Sequence, residues 1–174
     1  MNFFRVIPFS TGDDLITALP PPRALQGSGR HDNADLYTAL YCSTDKIACV
    51  SEAIQNFTSL TDDNLFRAGK RLHLSQFALP EGRRIVNADD PRVLVERALR
   101  PSVVATRNRS VTQPIACTVY EAGEDGLLWW STIESSWINA TLFFEKVSKD
   151  ITFSGLPTPL TILSNEIRDA LQRQ

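Results

Sequence analysis

The chain has little of what metal and redox sites are built from. Its 174 residues include three cysteines, two histidines and one methionine. Cys42, Cys49 and Cys117 make no Cys-x-x-Cys pair, and His31 and His73 fall in no His-Glu-x-x-His pattern. The usual ligand spacings of zinc are therefore missing, and no metal is expected. An odd cysteine count without close pairing fits reduced thiols. Long apolar runs are also missing. The longest, Gly126–Trp130 and Leu142–Phe144, are of strand length and fall far short of the roughly 20 residues that span a membrane. There is no surplus of positive charge, since 18 Lys and Arg stand against 20 Asp and Glu. A general nucleic-acid surface needs that surplus, so no nucleic-acid partner is expected. Met1-Asn2-Phe3-Phe4-Arg5-Val6 lacks the basic start and apolar middle of a secretory signal, which makes the expected location cytoplasmic.

What is present is an ordinary globular mixture, 43% hydrophobic and 22% charged, with enough chain for one domain over residues 1–174. Phe3–Phe9 and Leu36–Cys42 read as strands. Between them lie Leu19-Pro20-Pro21-Pro22 and the turn-rich Gln26–Asn33. Ser43-Thr44-Asp45 can cap a helix running to about Phe57, with Ile47, Val50, Ile54 and Phe57 as its apolar stripe and Glu52 nearly opposite. A second helix is expected over Thr61–Lys70, followed by strands at Arg71–Leu79 and Arg84–Ala88. Asp89-Asp90-Pro91 opens a short helix to Leu99, and Ser110–Ala122 forms another that stops at Gly123. Leu127–Thr132, Ala140–Val147 and Ile151–Ser154 complete the strands, and Thr158–Gln174 is expected to be a closing helix with Leu160, Leu163, Ile167 and Leu171 on one side. The fold class is α+β, with a mixed or mostly antiparallel sheet.

Taken singly, few side chains announce chemistry. Arg30 sits in the glycine-bearing stretch Gly27-Ser28-Gly29-Arg30. It could grip a phosphate through two parallel hydrogen bonds, or simply be a solvated loop arginine. Gly27-Ser28-Gly29 matches neither the dinucleotide fingerprint nor the P-loop. Tyr41 reads as sheet packing, Glu52 as an exposed helix carboxylate and Ser131 as a structural serine on the face of Leu127 and Trp129. Cys49 reads as an inert small residue. Arg92, Arg97, Arg100, Arg107 and Arg109 read as solvated surface. Neither histidine has a partner for a Ser-His-Asp arrangement.

In order, these residues resemble the RES-domain family, toxins named for an Arg, a Glu and a Ser. The pattern is an early Arg on the first strand (Arg5), a Gly-Arg loop (Gly29-Arg30), then Tyr41 and, eleven residues on, Glu52. It continues with Asp125-Gly126-Leu127-Leu128-Trp129-Trp130-Ser131 and with Asn139 before Leu142-Phe143-Phe144. Tyr37 competes with Tyr41 at a less fitting distance from Glu52. Ser28 stands where the family has the first loop Gly, and His31-Asp32 where it has an aromatic and an Asn.

The resemblance implies a fold related to ADP-ribosyltransferases, with a split, mixed or antiparallel sheet flanked by helices. It implies that NAD⁺ is a substrate rather than a cofactor, cleaved by hydrolysis or phosphorolysis. It also implies a cognate antitoxin protein that occludes the active site. Glu52, Arg30, Ser131 and Tyr41 are the implied catalytic residues, with Arg5, Arg30, Tyr41 and Ser131 contacting NAD⁺. A protein ADP-ribosyltransferase and a non-catalytic binding module on the same fold are the alternatives.

Overall fold

The computed structural model describes residues 1–57 and 59–173. In chain order the strands and helices are β1 (Asn2–Pro8), α1 (Leu15–Ala18), β2 (Ala39–Ser43), α2 (Lys46–Ile54), β3 (Phe66–Arg67), β4 (Lys70–Ala78), β5 (Ile85–Asn87), α3 (Pro91–Glu96), α4 (Pro101–Ala105), α5 (Arg109–Glu121), β6 (Gly126–Trp130), β7 (Ile138–Phe143), α6 (Phe144–Val147), β8 (Thr152–Phe153), β9 (Thr158–Pro159) and α7 (Asn165–Leu171). The sheet runs β3-β4-β1-β2-β7-β6-β5, with β8 and β9 also paired to β4. Only β5 and β6 run parallel among the described strands. The fold is α+β with a mixed sheet, as the order of strands and helices in the sequence implies.

The sheet is split between β1 and β2. β1 pairs with β4 along its whole length, Asn2↔Ala78 to Pro8↔Leu72, and β2 pairs with β7 from Ala39↔Phe143 to Ser43↔Asn139. β1 and β2 themselves meet at the single register pair Phe4↔Ser43. Because side chains alternate along strands, each half offers one face to the same side. On that side α2 and α7 cover β1 and β4 with Val50, Ile54, Ile167 and Ala170 against Val6, Leu72 and Leu74. Helices α3 to α5 cover the other half with Leu94, Val104, Ala116 and Val119 against Val86, Leu127, Trp129 and Phe143. On the opposite side one continuous core of Phe3, Ile7, Leu40, Phe77, Leu128 and Leu142 holds both halves together.

Three sequence expectations change. Over Thr61–Lys70 the chain forms a 3₁₀ turn at Asp62–Leu65 and then a hairpin. Ala68 and Gly69 both take positive φ, 51° and 75°, the geometry of a two-residue hairpin turn, which folds Phe66-Arg67 back onto Lys70-Arg71. The strand expected over Ala140–Val147 ends at Phe143, and α6 follows. Glu145 accepts from Thr38 N–H and Oγ, and Lys146 Nζ donates to the carbonyls of Tyr120 and Glu124; both pull the chain off the sheet. The closing helix begins at Asn165, because Thr158-Pro159 is extended and pairs with β4, as a residue before proline prefers. Leu160 and Ile167 are buried there, whereas Leu163 and Leu171 are exposed. The expected last residue of that helix, Gln174, lies outside the described residues. α4 went unforeseen, although Pro101 at its first position is a start signal. No described helix is long and apolar enough to cross a membrane.

Candidate active site

A cavity of about 650 Å³ opens between the two helical layers, above the split. α2 brings Glu52 to it. Asp45 caps that helix by accepting from the N–H groups of Ile47 and Ala48. The apolar stripe then turns inward and leaves Glu52 half-buried at the cavity wall. Glu52 Oε1 accepts from Ser131 Oγ at 2.6 Å and Asn139 Nδ2 at 2.8 Å, and Oε2 accepts from Gln55 Nε2 at 2.8 Å. Ser131 directly follows β6 and Asn139 is at the start of β7, strands paired so that Trp129 lies opposite Asn139. Gly126, at the start of β6, has no room for a side chain: a Cβ would stand 2.5 Å from the Thr141 carbonyl.

Arg30 reaches the same cavity from the loop before β2. The carbonyls of Val104 and Thr106, at the end of α4, accept from its Nη1 at 2.9 and 2.6 Å. Its guanidinium lies 4.5 Å over the ring of Trp129. Partial burial lowers its pKa from the usual arginine value, opposed by the charge of Glu52. The loop is clamped from the N-terminal part of α5. Thr112 donates to the Arg30 carbonyl, Gln113 to those of Gly27 and Gly29, and Arg109 to that of Ser28.

Both departures in this loop have a physical reading. Asp32 accepts from the N–H groups of Gly27 and Gly29 and from the Tyr41 hydroxyl, as an amide oxygen would. His31 is buried edge-on to Trp129, with Nδ1 2.8 Å from Thr141 Oγ1. Burial pushes its imidazole pKa down to about 3, so it is a neutral ring. Ser28 is exposed and has no positive φ, so its position makes no demand for glycine.

Tyr41 lines the cavity from β2, and its hydroxyl accepts from His31 N–H. Burial, then the neighbouring Asp32, push its pKa well above the ordinary phenol value. Tyr37 is instead fully buried against Tyr120 and Phe143. Arg5 spans the split: Nε donates to the Leu19 carbonyl at 2.6 Å and Nη1 to the Tyr41 carbonyl on β2. Burial lowers its pKa. Cys49 also lines the wall, and burial raises its thiol to about 12.

All five sequence-singled residues thus meet at one place, although Ser131 backs Glu52 rather than lining the cavity. The sequence reading missed Trp129, Gln55 and three arginines. Arg67, from the β3 hairpin, and Arg107 and Arg109, before and at the start of α5, line the rim. Arg107 and Arg109 read as plain surface, while Arg92 and Arg97 do pair outside the site, with Asp90 and Glu124. No carboxylate lies within ion-pair distance of any of the five cavity arginines among the described residues. Among the described residues no His, Cys, Asp and Glu group of metal-binding size occurs.

The RES-domain family profile matches residues 3–163. The chain belongs to the RES-domain family. A search of curated proteins returns no match. Among solved structures, this RES domain is similar to a chain in the crystal structure of the M. tuberculosis MbcT-MbcA toxin-antitoxin complex. The two share 15% identity at a TM-score of 0.65, over 99% of this chain and 88% of that one. At that identity the likeness is one of fold, and it spans this RES domain nearly end to end.

Proposed function

We propose that this RES domain cleaves the nicotinamide–ribose bond of NAD⁺, by hydrolysis or phosphorolysis, and acts as a toxin held in check by an antitoxin that covers the cavity. The observation that carries the reading is one tethered carboxylate in a cavity with five guanidiniums that have no carboxylate partner among the described residues. NAD⁺ has matching parts: a pyrophosphate with two negative charges and, across the ribose, a bond whose breaking leaves positive charge on the sugar.

In the step, the C1″–N1 bond breaks and its electron pair goes to nicotinamide, which leaves neutral. No strong general acid is needed, in keeping with a neutral His31. Glu52 stabilises the oxocarbenium-like sugar. Water or phosphate then supplies the oxygen that bonds C1″, and water gives up a proton to the solvent in doing so. Arg30 and Arg5 hold the pyrophosphate, for which the fork of a guanidinium is suited. Tyr41 walls in the nicotinamide. Ser131, whose hydroxyl is committed to Glu52 in the free protein, holds that carboxylate in place. Acting on the NAD⁺ pool places the protein in the cytoplasm.

The test is NAD⁺ consumption by the purified protein with and without phosphate, with products separated by chromatography. Nicotinamide with ADP-ribose indicates hydrolysis, and nicotinamide with ADP-ribose 1″-phosphate indicates phosphorolysis. ADP-ribose attached to protein would instead indicate a transferase. No nicotinamide release under either condition would sink the reading. Glu52→Gln keeps the shape and removes the charge, so the rate should fall about 100- to 1000-fold, the loss typical of one transition-state contact. A folded Glu52→Gln protein that turns over at the wild-type rate would exclude Glu52 from this role.

A further inference from the structure

Two donors hold the Glu52 carboxylate from behind, and each is itself held. Ser131 Oγ donates a hydrogen bond to Glu52 Oε1 and accepts from Ile133 N–H at 3.0 Å. Asn139 Nδ2 donates to the same oxygen, and Asn139 Oδ1 accepts from Ser43 Oγ. Ser43 and Asn139 face each other across β2 and β7, and are 2% and 3% exposed. A hydroxyl and an amide buried in a sheet cost free energy unless paired. An apolar cross-strand pair would fill the same space without that cost. Packing therefore gives no reason for a polar pair here, whereas the carboxylate beside it does.

We propose that Ser43 and Asn139 are positioning residues that fix the Glu52 carboxylate in the cavity, with Ser43 acting through Asn139. An ionised carboxylate only accepts, while an amide has one donor end and one accepting end. The Ser43 hydroxyl bonds the accepting end. That holds the amide against the flip that would set Asn139 Oδ1 against Glu52 Oε1. With Ser131 and Asn139 engaging Oε1, the oxygen left for a substrate is Oε2, whose one partner among the described residues is the exposed Gln55.

The proposal rests on Glu52 being the group that stabilises the sugar cation, and steady-state kinetics of NAD⁺ cleavage separate the two claims. Asn139→Ala should lower kcat about 10- to 100-fold, by analogy with the loss of a hydrogen-bond partner that orients a metal ligand, with KM for NAD⁺ near the wild-type value. Ser43→Ala should lower kcat less, and Ser43→Thr, which keeps the hydroxyl, should restore it. In the Asn139→Ala background Ser43→Ala should have no further effect, because its path to Glu52 is already cut. Thermal unfolding of each variant controls for folding. Should Asn139→Ala fail to fold, the Ser43→Ala and Ser43→Thr pair still decides the matter. Wild-type kcat in a folded Asn139→Ala or in Ser43→Ala, losses that multiply in the double variant, or a rise in KM alone would overturn the proposal. If the wild-type protein cleaves no NAD⁺, it is the reading of Glu52 that falls.

Discussion

Arg30 carries a fixed charge in a half-dry setting, and everything it touches in the free protein steers it. Two carbonyls take one terminal nitrogen and the Trp129 face takes the plane, which leaves the other N–H groups for an anion. Arg30→Ala should therefore both raise KM for NAD⁺ and lower kcat, costing kcat/KM about 1.5–3 kcal/mol, roughly 10- to 150-fold. Unchanged steady-state constants would remove it from the site. Arg30→Lys should also be impaired, since an ammonium that took the two carbonyls would have no planar fork to lie on the indole and offer further N–H groups to an anion. The neighbouring Gly29 is set by contact: a Cβ would stand 2.5 Å from Asp32 Oδ1 and 2.6 Å from the Tyr41 hydroxyl. Gly29→Ala should cost about 1–3 kcal/mol in urea unfolding, the usual range for overpacking. A wild-type midpoint would show that the loop gives way freely.

At the scale of elements, the site depends on two helices that do different things. α2 aims the carboxylate, and its start is fixed by one side chain, Asp45. Asp45→Ala should lower stability by about 1 kcal/mol, read as a fall in the urea midpoint; no fall would mean the helix start is held by packing alone. α5 aims no reactive group and instead clamps the arginine loop by its carbonyls. The capping residue, apolar stripe and Gly123 stop of these helices are visible in the sequence, as are the β1, β4 and β6 strands. The β3 hairpin was not visible. Its turn uses an alanine at positive φ, a conformation that alanine seldom adopts, so local propensity pointed to helix. The clamp was also invisible, because it joins residues more than 80 positions apart.

For the whole molecule, burial of His31 couples stability to pH. Its ordinary pKa of 6.5 falls to about 3 in the folded protein. The unfolded chain takes up a proton below about pH 6.5 and the native state does not. The stability from keeping His31 neutral is full above that pH and is lost as pH falls from about 6.5 toward 3, by up to about 1.4 kcal/mol per unit. Half-buried Asp13, Asp62 and Asp90, whose pKa values are lowered first of all by hydrogen bonds from Lys70, Arg71 and Arg92, act in the same direction. Urea unfolding between about pH 7.5 and pH 4.5 should show this slope, and His31→Gln should flatten it. An equal slope in that variant would assign it to the carboxylates.

Turn residues, caps and apolar spacing act between neighbours in the chain, so the α+β class, the helix bearing Glu52 and the loop bearing Arg30 could be read before any coordinates. The order of Arg5, Arg30, Tyr41, Glu52 and Ser131 was legible too, though not that the first four share a cavity with Ser131 behind Glu52. That convergence required the sheet to part between β1 and β2 and the two helical layers to stand apart over the gap. The same folding separated Arg107 and Arg109, which face the cavity, from Arg92 and Arg97, which bind Asp90 and Glu124. In the sequence these four are alike, because a charged side chain's role depends on the field and the groups around it, and those come from distant parts of the chain.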